Sequence, residues 1–152
     1  MKLRVFVIDD EENIVESMRS YIEQLGHEVF TAPEPLLCDI YQGYSCCEEH
    51  ACGDLVFVDY NMPRMTGLEF IELMARRGCK GPKENKVLMS GNTSAIDMDK
   101  VKALGCQVVQ KPLRLARVGE IVEEAKNQID PHRKLADLSR KKCQKQHNPD
   151  LV

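Results

Sequence analysis

Five short apolar runs, each followed by a stretch with helical spacing, constrain this chain more than any other feature of its sequence. The runs lie at residues 3–8, 28–32, 55–58, 87–89 and 106–110, and have the length of buried strands. Residues 12–25 put Ile14, Met18, Ile22 and Leu25 on one helical face, and Gly26 ends that helix. Pro33 and Pro35 open a brief second helix carrying Leu36, Leu37, Ile40 and Tyr41. Thr66 with Glu69 three residues on predicts a capping box, and Leu68, Ile71 and Ala75 the buried stripe behind it. Residues 94–104 read as helix, stopped by Gly105. Val118, Ile121, Val122, Ala125 and Ile129 give the apolar face of a last one. Strands alternating with helices in this way predict an α/β fold, a doubly wound five-stranded parallel sheet covered on both faces.

The ends of the strands are polar. The first gives Asp9 and Asp10, the third Asp59, the fourth Ser90 and the fifth Lys111. A lone aspartate at such a place is ordinarily a turn former or a helix cap. In an open parallel sheet, however, all the carboxyl ends share one edge, where ligands bind. Three carboxylates gathered there raise one another's pKa unless a cation sits among them. An all-oxygen set suits Mg²⁺, which takes few protein ligands and keeps several waters. A lysine and a hydroxyl beside them can hold phosphoryl oxygens, so Asp59 is placed as a nucleophile that would become an aspartyl phosphate.

Composition narrows the classes that remain. The chain has 152 residues, 43% of them apolar, and a net charge of −3. This is enough for one domain with a real core, and it offers no nucleic-acid footprint. No apolar run approaches the length of a membrane span, and Met1-Lys2 leads directly into the first strand, so a cytoplasmic protein with no membrane association is expected. The seven cysteines form no even disulfide framework.

The stretches "VFVIDDEE", "LVFVDYNMPRMTGLEF", "VLMSG" and "VVQKPL" closely resemble the receiver domain of two-component response regulators, over residues 2–129. The resemblance implies strand order 2-1-3-4-5, as in flavodoxin-like folds, and a phosphorelay switch rather than an enzyme of turnover. Asp59 would be the phosphoacceptor and Asp10 the direct Mg²⁺ ligand, with Asp9 acting through water and Asn61 through its backbone carbonyl. Lys111 would pair with the phosphoryl group, Pro112 would follow a cis peptide bond, and Ser90 would turn inward on phosphorylation. Gly91 would leave the site open, and Asn61 and Asn92 would influence the life of the acyl phosphate. The implied donor is a sensor histidine kinase or a phosphotransfer protein.

Three departures stand out. Many members of that family carry an aromatic residue three places before the lysine; here it is Val108, with no ring to swing. The stretch 38–53 is longer than usual and holds Cys38, Cys46, Cys47, His50 and Cys52, enough ligands for Zn²⁺ but without paired CxxC spacing. Free thiols and a redox-sensitive disulfide are the other readings of that stretch. Residues 130–152 form a basic tail with Arg133, Lys134, Arg140, Lys141, Lys142 and Lys145, too short for a DNA-binding output domain. It reads as a solvated, frayed helix or as a docking segment.

Two alternatives to the switch stay open at this level. One is a metal- or redox-sensing module built on the cysteine-rich insertion. The other is a phosphatase of the haloacid dehalogenase type, which would need a second acid two residues after the nucleophile, where this chain has Asn61.

Overall fold

The computed structural model describes residues 1–139. Its elements run β1 (Arg4–Ile8), α1 (Glu12–Gln24), β2 (Glu28–Ala32), β3 (Leu55–Asp59), α2 (Gly67–Arg76), β4 (Lys86–Ser90), α3 (Met98–Leu104), β5 (Gln107–Gln110) and α4 (Leu115–Gln128). All four pairings are parallel, and the strand order is β2-β1-β3-β4-β5. A parallel neighbour needs a crossover, and each crossover lays chain over one face of the sheet. Two cores follow. On one face, α1 and α4 pack Met18, Ile22, Val118, Ile121 and Val122 against Val5, Val7, Phe57 and Met89. On the other, α2 and α3 bring Leu68, Ile71, Met74 and Val101 onto Ile8, Val58 and Leu88.

The helix boundaries follow from local chemistry. Thr66 Oγ1 accepts from Glu69 N–H while Glu69 Oε1 accepts from Thr66 N–H, the capping box expected from the sequence. Gly105 ends α3 at φ 73°, a left-handed conformation in which a β-carbon is strained. The helical stripes differ in detail from those expected. Leu25 is exposed, since α1 buries Val15, Met18 and Ile22. Ala75 is exposed as well, and Phe70 and Met74 take its place in the core.

The brief helix expected after β2 does not form. Residues 33–43 make separate turns instead, such as Cys38 N–H to Pro35 O and Gly43 N–H to Ile40 O. Pro33 and Pro35 remove two donors, and proline disfavours helical geometry at Glu34, so no first turn is available to propagate. Ile40 and Tyr41 still reach the core, Tyr41 edge-on to Phe70 at 5.5 Å and donating to Glu34 Oε2 at 2.6 Å. Leu36 and Leu37 remain exposed.

The start of the C-terminal tail is not a frayed helix either. Residues 130–139 turn back across the amino end of the sheet, where Leu135 bridges Ala51 and Ala136 is buried. Arg133 reaches the buried Asp54 with both Nε, at 2.8 Å to Oδ1, and Nη2, at 2.5 Å to Oδ2. Arg4 Nη1 donates to the carbonyls of Cys52 and Ala136, tying the insertion and the tail to β1. Arg140, Lys141, Lys142, Cys143 and Lys145 lie outside the described residues.

Gly67 has no freedom to be anything larger. A β-carbon there would sit 2.4 Å from Asp59 O and 2.7 Å from Leu88 Cδ1. Its N–H donates to Tyr60 O at 2.7 Å, so α2 begins pressed against the end of β3. Gly67→Ala is expected to destabilise the fold by about 1–3 kcal/mol through overpacking. A urea titration checks this by the shift of its midpoint at unchanged slope.

Candidate functional site

The register of the sheet assembles the site. Ile8 pairs with Val58 and Asp59 with Met89, so Asp9, Asp59 and Ser90 follow one another across three neighbouring strand ends. Lys111 arrives just beyond β5, its N–H donating to Ser90 O at 2.8 Å. The bond between Lys111 and Pro112 is cis, as expected. Burial has a cause on each strand: Asp9 and Asp59 continue the inward alternation of β1 and β3, whereas Asp10 falls on the exposed side.

One ammonium serves three carboxylates. Lys111 Nζ lies 2.7 Å from Asp9 Oδ2, 3.1 Å from Asp59 Oδ1 and 3.0 Å from Glu11 Oε1. Glu11 is a member of the cluster that strand-end reasoning missed; its only signal was the acidic run "DDEE". Asp9, Asp10 and Asp59 each offer an oxygen, and these lie within 4.8 Å of one another.

Burial raises the pKa of Asp59 above the usual carboxylate range, and the neighbouring Asp9 charge adds to the rise. Lys111 and the Asn61 backbone N–H pull the other way without cancelling it. Burial alone would lower the pKa of Lys111, but Asp9, Glu11 and Asp59 together outweigh it, so the ammonium is held firmly charged. Ionised Asp59 therefore weighs against the folded state. Its contribution to stability is full below the carboxylate's unfolded pKa and is lost as pH rises through the raised folded value. Asp59→Asn is accordingly expected to raise the thermal midpoint at neutral pH in a chelator, with the gain vanishing in acid. Melts of both proteins across that range check the sign.

The residues suit a hard cation. Asp9 Oδ2 is buried and pairs with Lys111 by charge but without hydrogen-bond alignment, and no other donor among the described residues reaches it. With Asp10 and Asp59 close by, the carboxylates exceed the fixed positive charge, and every donor atom is oxygen. Asp10, Asp59 and Asn61 are the residues that could hold such an ion, with Asp9 behind them.

Around this centre, Ser90 Oγ accepts from Asn92 N–H at 3.0 Å. A β-carbon on Gly91 would meet no protein atom within 4 Å. Packing therefore makes no demand for glycine there. Val108 is half-buried on β5, paired with Leu88.

The candidate soft-metal ligands do not converge. Among the described residues, the aspartate group is the one set of three metal-ligating side chains close enough to share an ion, and none of Cys38, Cys46, Cys47, His50 or Cys52 belongs to such a set. Cys38, Cys46 and Cys79 instead pack as small apolar groups against the core beneath α2 and α3. Burial pushes the Cys38 thiol up to about 12, where it holds its proton rather than offering a thiolate. Cys47 Sγ faces Asp39 Oδ2 at 4.0 Å, and His50 borders a cleft shared with Arg133 and Lys134. These side chains thus have separate surroundings, Cys38 and Cys46 against the core and His50 at a cleft.

Comparison with known proteins agrees with this geometry. The family model described as "Response regulator receiver domain" matches residues 5–123. Full-length FixJ from B. japonicum superposes with a TM-score of 0.65 at 23% identity, covering 86% of this chain and 61% of FixJ. This chain thus spans under two thirds of that protein. The non-phosphorylated HemR receiver domain from Leptospira biflexa gives 0.65 at 20% identity, over 86% of this chain and 99% of HemR. The receiver domain of the sensor histidine kinase PA1611 from Pseudomonas aeruginosa PAO1, which carries a magnesium ion in its active-site cleft, gives 0.64 at 12%, over 84% and 99%. No curated protein is significantly similar in sequence. The chain belongs to the response regulator receiver domain family. It is a phosphoryl-accepting signalling switch rather than an enzyme of turnover, and the dehalogenase alternative falls away. Among the described residues, no helix is long and apolar enough to cross a membrane.

Proposed function

We propose that Asp59 accepts a phosphoryl group from a phosphohistidine on a sensor histidine kinase or phosphotransfer protein, in the cytoplasm, with Mg²⁺ bound at the acidic cluster. The observation that carries this reading is the contact of Lys111 Nζ with both Asp59 and Asp9 at one sheet edge, 3.1 and 2.7 Å away. Asp59 Oδ attacks phosphorus as the donor's P–N bond breaks, and the electron pair leaves with the imidazole nitrogen, which takes up a proton. Lys111 binds a phosphoryl oxygen and offsets the charge that accumulates there. The Ser90 hydroxyl, already at the adjacent strand end, donates to another. Asp10, Asp59 and the Asn61 carbonyl would hold Mg²⁺, with Asp9 acting through water; the ion supplies charge neutralisation for incoming phosphate. The PA1611 receiver, which holds magnesium in its cleft, supports that assignment.

The receiver unit is assigned to residues 1–129, with residues 130–139 strapped beneath it. No DNA-binding role is assigned, because the net charge is −3. Phosphoramidate, whose P–N bond mimics the phosphohistidine donor, provides the test. Uptake of label is expected with Mg²⁺ and not with EDTA; uptake indifferent to EDTA contradicts the metal's role.

A further inference from the structure

Gln110 ends β5 on the exposed side, one residue before Lys111, and its amide spans two strand ends. Oε1 accepts from Thr93 Oγ1 at 2.8 Å and from Thr93 N–H at 3.3 Å. Nε2 donates to Gly91 O at 2.8 Å and to Lys111 O at 3.1 Å. All four partners lie in or beside the site: Gly91 and Thr93 belong to the loop after Ser90, and Lys111 carries the ammonium. An exposed glutamine ordinarily leaves such bonds to water; here both ends of one amide are committed to three backbone positions and a hydroxyl. The same loop provides Asn92 N–H, which holds Ser90 Oγ at 3.0 Å. Whatever fixes residues 91–93 therefore bears on where the Ser90 hydroxyl sits.

We infer that Gln110 is a positioning residue: its amide staples the Gly91–Thr93 loop to the end of β5 and restrains Ser90 in its unphosphorylated position. The inference rests on the phosphoacceptor assignment of Asp59. The Asn92 N–H bond fixes where the Ser90 hydroxyl sits, so a turn of that hydroxyl toward a phosphoryl group on Asp59 would work against the staple, which then weighs against uptake. Release of the staple shifts the loop population toward the receptive arrangement.

Gln110→Ala removes all four bonds, whereas Gln110→Glu keeps the acceptor for Thr93 and loses both donors. Two readouts are taken on wild type and both variants: amide hydrogen exchange at residues 92–95 with Val5–Ile8 as control, and the initial rate of Mg²⁺-dependent phosphorylation by acetyl phosphate. For Gln110→Ala, exchange in the loop and the phosphorylation rate are both expected to rise about threefold to tenfold, as the loss of one or two net hydrogen bonds implies, with the strand unchanged. Gln110→Glu falls between the two. Unchanged loop exchange overturns the staple. Faster exchange with an unchanged or slower rate overturns its bearing on the site. Absence of any adduct on wild type would overturn the phosphoacceptor assignment instead, and is distinguishable because the exchange comparison still reads the staple. Should Gln110→Ala fail to fold, Gln110→Glu and Thr93→Val, which loses only the Oγ1 bond, carry the same comparison.

Discussion

Asp59→Asn is expected to take up no phosphoryl group under conditions that load the wild type fully, while remaining folded. The amide oxygen of asparagine is a poor nucleophile, and the substitution removes the carboxylate and nothing of its shape. Lys111 keeps Asp9 and Glu11 as partners, so the ammonium is not stranded. The loss of uptake and the gain in thermal midpoint at neutral pH should therefore appear in one protein. That combination separates a chemical role from a structural one, because a residue needed for folding would lose stability with function. Native-state circular dichroism and labelled-phosphate uptake on the same preparation provide the comparison.

The second large effect lies at the opposite end of the sheet. Arg133→Met should destabilise the fold by about 3 kcal/mol, the lower end for removing one partner of a buried ion pair. Asp54 is 2% exposed, and its carboxylate takes both arms of the Arg133 guanidinium and the Arg4 N–H. Methionine keeps the packing stem of arginine but leaves Asp54 charged and only partly satisfied. The double variant Asp54→Asn/Arg133→Met should recover part of the loss, since no buried charge is then left unpaired. A double-mutant cycle by urea unfolding measures the coupling. Additive losses would show that the tail's first residues rest on the sheet without being held by this pair.

The sheet and the acidic centre were legible because both follow from short-range patterns. Apolar runs broken at Asp9, Asp59, Ser90 and Lys111 state where strands end, and parallel pairing brings those ends together. The Thr66–Glu69 capping box was equally plain, since it is a contact between residues three apart. What stayed hidden depends on distant partners. Glu11 looked like an ordinary residue at the start of α1 until Lys111, a hundred positions later, was placed beside it. Nothing near Gly67 in the sequence marks it as special, and only the approach of Asp59 O shows that nothing larger fits.

The stretch from Pro33 to Gly53 was the hardest to read. Helical spacing at Leu36, Leu37, Ile40 and Tyr41 suggested a helix, but two prolines deny it a first turn, and Ile40 and Tyr41 are buried from turns instead. The cysteine count left a metal site open beside free thiols, and the choice was hidden because proximity in sequence does not set the direction of side chains; Cys38 and Cys46 serve the core as free thiols. Likewise, the basic composition of the tail concealed a specific role for Arg133, because its partner Asp54 lies 79 positions away.

The central claim is that Asp59 is the residue that carries the phosphoryl group. Intact-mass spectrometry after incubation with Mg²⁺ and acetyl phosphate, followed by mapping of the modified peptide, tests it most directly. The prediction is one phosphoryl adduct, dependent on Mg²⁺ and located at Asp59. An adduct on another residue, or none on a protein that remains folded, would contradict it.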